Sequence, residues 1–302
     1  MNQQARPRSK KEPKYLEDIT YTIASQGSGR EEELFSSNLF MGRYDENQLM
    51  DMLDKVGMIA ILHRKGYRNL LVSIHKQDDY TSRLYVNFDS PDKDTRLIEA
   101  IVREGIFRPK RNFIDSYDFS GGLSMLLIEW LALQDPKARF DPDKPRLPGQ
   151  QYPGLGGLKN MQELLYGLGK SSGKDSIIDV PEFFHSAAIY SRLYSEIYSV
   201  KYSFFSPIDS GIMQAMLRDL KGKPLADISF AVSFDCLKDA RTGKPAKWRT
   251  SEQIYPISKM LKRYVEDEAY KNLAIRAMNE HSFAIDWEKY DRLVKQGLMD
   301  EL

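Results

Sequence analysis

Cysteine is nearly absent from this chain. Cys236 is the one thiol among 302 residues, which excludes an internal disulfide framework and any cysteine-rich metal site. A reducing, cytoplasmic setting is the natural expectation. Histidine is almost as scarce: His63, His75, His185 and His281 show no ligand spacing, so no metal is expected. Neither sign of charge is in excess, with 44 basic and 43 acidic residues. That balance argues neither for nucleic acid nor for an acidic surface, and nucleic acid is not an expected partner. No apolar run reaches the roughly 18 residues a membrane-spanning helix needs, so no membrane association is expected. The N-terminus is basic (Arg6, Arg8, Lys10, Lys11, Lys14) without the apolar core of a secretory leader. Residues 1–14 read as a solvated, disordered tail.

What the chain does have suits a folded protein with a sizeable core: 41% hydrophobic residues, including 17 tyrosines. Asp45 can cap a helix carrying Leu49, Met52 and Leu53. Met58 to His63 and Asn69 to His75 read as strands joined by a hairpin at Arg64–Tyr67, with Arg83 to Phe88 a third strand. Asp92 to Glu104 reads as an amphipathic helix through Leu97, Ile98 and Ile101, closed by Gly105. Leu123 to Leu133, the most apolar run, suits a buried central strand, although pattern alone also permits a helix. Gly157 to Leu168 then reads as helix, Ser176 to Val180 as a short buried strand, and Pro181 as the start of a further helix. Beyond residue 207 the pattern is helical: Asp209 caps one helix, Ser251 begins another through Ile254, Ile257, Leu261 and Val265, and two more hold 273–278 and 287–294. The Met216/Leu217/Leu220 stripe serves a core or an oligomer face. The fold class is therefore mixed α/β (α+β).

Chemistry is suggested by one segment. Gln151-Tyr152-Pro153-Gly154-Leu155-Gly156-Gly157 opens a helix and fits Gln/Arg-x-x-Gly-x-Gly. A diphosphate needs converging N–H groups, and a helix N-terminus has spare donors and the positive end of the dipole. Glycine lets the backbone approach closely. Two other nucleotide motifs fail. Lys159 stands where a dinucleotide fingerprint needs its third glycine, and Leu164 where a P-loop ending at Gly169-Lys170-Ser171 needs its first.

The order of strand, glycine turn, helix, strand and helix resembles the GNAT superfamily of acyl-CoA N-acyltransferases. Arg146-Leu147-Pro148-Gly149-Gln150-Gln151-Tyr152-Pro153-Gly154-Leu155-Gly156 and Val180-Pro181-Glu182-Phe183-Phe184-His185-Ser186-Ala187-Ala188-Ile189-Tyr190 look like a bacterial branch of it. The resemblance implies a mixed sheet flanked by helices over residues 15–206, with its motif-bearing core at 123–205 and a helical C-terminal extension at 207–302. It implies acetyl-CoA or another acyl-CoA as co-substrate. Diphosphate would rest on the amides of Leu155, Gly156, Gly157 and Leu158, with Gly154 allowing close approach and Gln151 at the pattern's first position. Trp130, Leu131, Ala132 and Leu133 would run beside pantetheine. Tyr190 matches the family's general acid, and Glu129 is the candidate base. Arg108-Pro109-Lys110-Arg111 could hold the 3′-phosphate of the coenzyme.

Three features depart from the family. Phe183 replaces a common asparagine, and Tyr194-Ser195 a common Gly-Phe. About 17 residues separate Leu133 from the turn, so the loop either bulges out and returns or carries the turn elsewhere. The acceptor would be a small-molecule or protein amine. The competing readings are a non-catalytic protein that binds acyl-CoA or a protein partner, and a basic-tailed nucleic-acid accessory. The C-terminal helices offer a surface for oligomerisation.

Overall fold

The structure is a computed structural model that describes residues 21–22, 39–76, 78–142 and 146–298; the basic tail lies outside the described residues. After β1 (Tyr21–Thr22), α1 (Glu46–Lys55) begins at a reciprocal cap. The Gln48 amide donates to Asp45 Oδ1 at 2.8 Å and the Asp45 amide to Gln48 Oε1 at 3.0 Å. Met58 to His63, expected as a strand, is instead α2 (Met58–Arg64). A run this short does not separate the two periods, and Met58 and Leu62, one helical turn apart, are both fully buried. The hairpin lies one element later, between β2 (Leu70–Lys76) and β3 (Thr81–Phe88).

The expected helix at 92–104 is also corrected. A single 3-10 turn at Lys93–Thr95 leads into β4 (Arg96–Phe107). Ile98, Ala100 and Val102 recur with period two and enter the main core, while β3 and β5 (Leu123–Leu133) take up the two edges of β4. Then follow α3 (Leu158–Ser171), β6 (Ser176–Asp179), α4 (Phe184–Tyr198), α5 (Pro207–Asp219), α6 (Leu225–Ser233), β7 (Leu237–Asp239), β8 (Gln253–Pro256), α7 (Lys259–Glu266), α8 (Glu268–Glu280), β9 (Phe283–Ile285) and α9 (Trp287–Lys295). Ser206, not Asp209, caps α5: its Oγ accepts from the Asp209 amide at 3.2 Å.

The main sheet runs β2-β3-β4-β5-β6-β8, with β1 alongside the end of β4; β7 and β9 form a separate ribbon. Every pair is antiparallel except β5 with β6. The apolar run of β5 is explained by cover on both faces. Leu126 and Ile128 join the core beneath α1–α4, while Leu123, Met125 and Leu127 join a second core with α7 and α8. Residues past 207 are therefore more than a helical extension. Ile254, expected on a helix begun by Ser251, lies on β8, which closes the sheet edge beside β6. The residue before a proline is pushed to extended geometry, and Tyr255 precedes Pro256.

Candidate functional site

The parallel pairing of β5 with β6 runs from Met125↔Ser176 to Ile128↔Asp179 and then stops, although β5 continues to Leu133. At this point β5 bulges. Ile128 and Trp130 face consecutive residues of β4, leaving Glu129 extra. Between Glu129 and Ala132 no described strand pairs with the side of β5 that faced β6. A cavity of about 520 Å³ opens in the gap. It is bounded by the end of β5, the start of α3, the segment Asp179–Phe183 and one face of α4. Its size falls within the range of small-molecule sites.

The long loop after β5 does bulge out and return. The Asp135 amide donates to Pro153 O at 2.9 Å and the Leu155 amide to Leu133 O at 3.1 Å, while Gln134 bridges Gly154. Its base is anchored by Asp135, which accepts from Lys65 Nζ at 2.8 Å and from the Tyr67 hydroxyl at 2.5 Å. Burial alone would raise the Asp135 carboxyl, but these two donors outweigh it and hold the group below the usual carboxylate range. Residues 147–152 fold back as one wall of the cavity.

The glycine turn sits at the cavity. Gly156 (φ 81°) is exposed and Gly157 (φ 78°) half-buried, both in the left-handed region. The first bond inside α3 is Met161 N to Gly157 O at 3.0 Å, so the amides of Leu158, Lys159 and Asn160 have no helical acceptor. Among the described residues, the Gly156 and Gly157 amides have none either. Leu155 differs: it is fully buried in the core and its amide is committed to Leu133, so it is not a free donor. Gln151, Gly154, Gly156 and Leu158 line the cavity, as do Trp130, Leu131, Ala132 and Leu133, with Trp130 half exposed. Gly157 does not; it packs against Met58 and Ile61.

Of the two residues singled out for catalysis, Tyr190 lines the cavity from α4. Burial first, and then the neighbouring Asp179 charge, push its hydroxyl well above the usual tyrosine range, with Gln162 opposing in part. Glu129 also lines the cavity, but its carboxylate is ion-paired with Arg103. The Arg108–Arg111 stretch does not approach the cavity. Phe107 pairs with Leu123, at the other end of β5, about 30 Å from Leu133 along the strand.

Two polar groups of the cavity went unremarked or unassigned in the sequence. Asp179, the last residue of β6, is buried, and its Oδ2 has no partner. Burial pushes its carboxyl up to about 7, against a smaller lowering from the Val180 amide. His185 stacks on Phe183 with ring centroids 5.4 Å apart, and its Nδ1 is buried without a partner. Burial lowers it to about 4, which leaves the ring neutral near pH 7. An acid ending a short strand reads as a turn residue. Only the parting of β5 from β6 turns Asp179 into a cavity group.

Among the described residues no cluster of three or more His, Cys, Asp or Glu side chains is placed to hold a metal ion, and no helix is long and apolar enough to cross a membrane. Comparison with family models, curated proteins and solved structures finds no match. The fold defines the class: a mixed α/β protein with a cavity where two parallel strands part.

Proposed function

We propose that the chain is an acyl-CoA-dependent N-acyltransferase, transferring an acetyl or longer acyl group to an amine. One observation carries the reading. The free edge of β5, the turn residues Gly156 and Leu158 with their unbonded amides, and the Asp179 and Tyr190 side chains all meet at a single cavity. A pantetheine arm carries amide groups that can pair with an open strand edge as an added strand does. A diphosphate is matched by the amides of Gly156 and Leu158, the two residues of the turn that combine a free amide with a place on the cavity wall. Both features agree with the resemblance to the GNAT acyltransferases.

The chemistry required is attack of a neutral amine on the thioester carbonyl, forming the C–N bond as the C–S bond breaks. Asp179 suits the base: its Oδ2 lacks a partner and the carboxyl is pushed up to about 7 by burial, so it can take the proton the amine loses. Glu129, held by Arg103, is the less suitable of the two. Tyr190, protonated at neutral pH, can supply the proton the departing thiolate needs. His185, neutral and unpartnered, is a hydrogen-bonding group at the wall and not a cation.

The test is calorimetric titration with acetyl-CoA, followed by CoA release across an amine panel. Binding is expected in the wild type and lost in Gly156→Glu. Turnover is expected to fall on the order of 10²-fold in Tyr190→Phe. No heat with any acyl-CoA would sink the reading. Binding without turnover on every amine would favour a non-catalytic acyl-CoA binder.

A further inference from the structure

A second groove, of about 320 Å³, lies on the other side of α4, against the end of α5 and the start of α6. It shares Ile189 with the strand cavity, so the two are neighbours across one helix ridge. Their charges are opposite. Among the described residues, the strand cavity is lined by Glu129, Asp179 and Glu182 and by no lysine or arginine, whereas the groove is lined by Arg192, Lys221 and Lys223 and by no carboxylate. The groove also has apolar lining, including Phe184, Ala188 and the exposed Leu217.

A coenzyme that is neutral along its pantetheine arm and polyanionic at its nucleotide end would meet this contrast in charge. The groove offers a phosphomonoester three side-chain cations, whereas the cavity lining offers it none. The three cations are available. Arg192 is paired only with exposed Glu196 at 3.5 Å, a surface pair of the kind worth about 0–1 kcal/mol. Lys221 forms no ion pair with a described residue. Lys223 lies over the Trp287 ring at 5.3 Å and forms no ion pair with a described residue. The alternative cationic stretch, Arg108–Arg111, is at the far end of β5.

We propose that this groove is the subsite for the adenosine 3′-phosphate of the coenzyme, the purine resting on its apolar lining and the phosphate facing Arg192, Lys221 and Lys223. The proposal rests on the acyl-CoA reading. It assigns to α5 and α6, which lie outside the resemblance, a part in holding the ligand.

The test measures dissociation constants of the full chain for CoA and for 3′-dephospho-CoA, in the wild type and in an Arg192→Gln/Lys223→Gln double variant. The wild type is expected to favour CoA by about tenfold, roughly 1.4 kcal/mol. The double variant is expected to bind the two ligands within about twofold, with its affinity for dephospho-CoA unchanged. Equal affinities in the wild type, or equal weakening of both ligands in the variant, would overturn the subsite. If both ligands bind, lose affinity in Gly156→Glu, and show no preference, the groove assignment fails while the acyl-CoA reading stands. If neither binds, both fail.

Discussion

The Leu155 amide donates to the Leu133 carbonyl at 3.1 Å, so the chain leaving β5 returns to the point it left before the glycine turn begins. That closure is why a long insertion leaves the turn beside the strand edge. It also removes Leu155 from the free amides and leaves Gly156, Gly157 and Leu158.

The closure depends on Asp135. Asp135→Ala leaves the Lys65 ammonium and the fully buried Tyr67 hydroxyl without their acceptor, which is expected to cost about 1–3 kcal/mol. Urea midpoints measure the loss, and protease cleavage within 136–152 should accelerate. Because the folded carboxyl lies below its usual range, its contribution is present above the unfolded value and disappears as pH falls through the folded one. A variant with wild-type midpoint and cleavage rate at neutral pH would refute the anchor.

The opposite sign applies at Asp179. Its folded carboxyl is raised to about 7, so between about 4 and 7 the folded chain binds the proton more tightly than the unfolded one. The associated stability is full below about 4 and is lost as pH rises to about 7. Asp179→Asn should therefore gain on the wild type as pH increases across that window, by about 1.4 kcal/mol per unit at most. Chemical denaturation at a series of pH values measures it; parallel curves would show an ordinary carboxyl. In an active enzyme, the acid limb of the rate profile near pH 7 should vanish in the same variant.

The two turn glycines separate strain from collision. A Cβ at Gly156 would meet nothing within 4 Å, whereas one at Gly157 would lie 2.6 Å from Met58 Sδ, and Met58 is fully buried. Gly156→Ala should cost about 1 kcal/mol, from the positive φ alone. Gly157→Ala should cost about 1–3 kcal/mol more. Thermal or urea unfolding ranks the pair, and the reverse order would contradict the packing.

Helices α5 and α8 approach closely at Gly211. A Cβ there would overlap the Ala274 carbonyl oxygen and lie 2.8 Å from Ala277 Cβ. Gly211→Ala is expected to destabilise by about 1–3 kcal/mol despite its better helix propensity. A neutral or stabilising effect would show that the helices have room to part.

Elements with several agreeing signals were legible in the sequence. Asp45 as a cap, with Leu49, Met52 and Leu53 at helical spacing, placed α1, and the run Leu123–Leu133 matched β5 residue for residue. Short apolar stretches were not. Met58–Arg64 carries too few residues to separate the periods, and Leu97, Ile98 and Ile101 fit a helix face as well as a strand covered by neighbours. For the candidate site, the glycine pattern indicated the turn and the resemblance indicated Tyr190; Gly154, Gly156 and Tyr190 reached the cavity, while Leu155 and Gly157 did not. Asp179 and the bonding of the Leu155 amide depend on how distant segments meet, which local pattern does not encode.

The edge of β6 is covered by Gln253–Pro256, and the Gln253 side chain reaches α4, donating to Ala187 O at 3.0 Å and Ser191 Oγ at 2.8 Å. During synthesis, the helix that bears Tyr190 therefore waits for a partner made more than fifty residues later. A nascent chain halted before that point presents a bare strand, open to pairing with its neighbours on the same message.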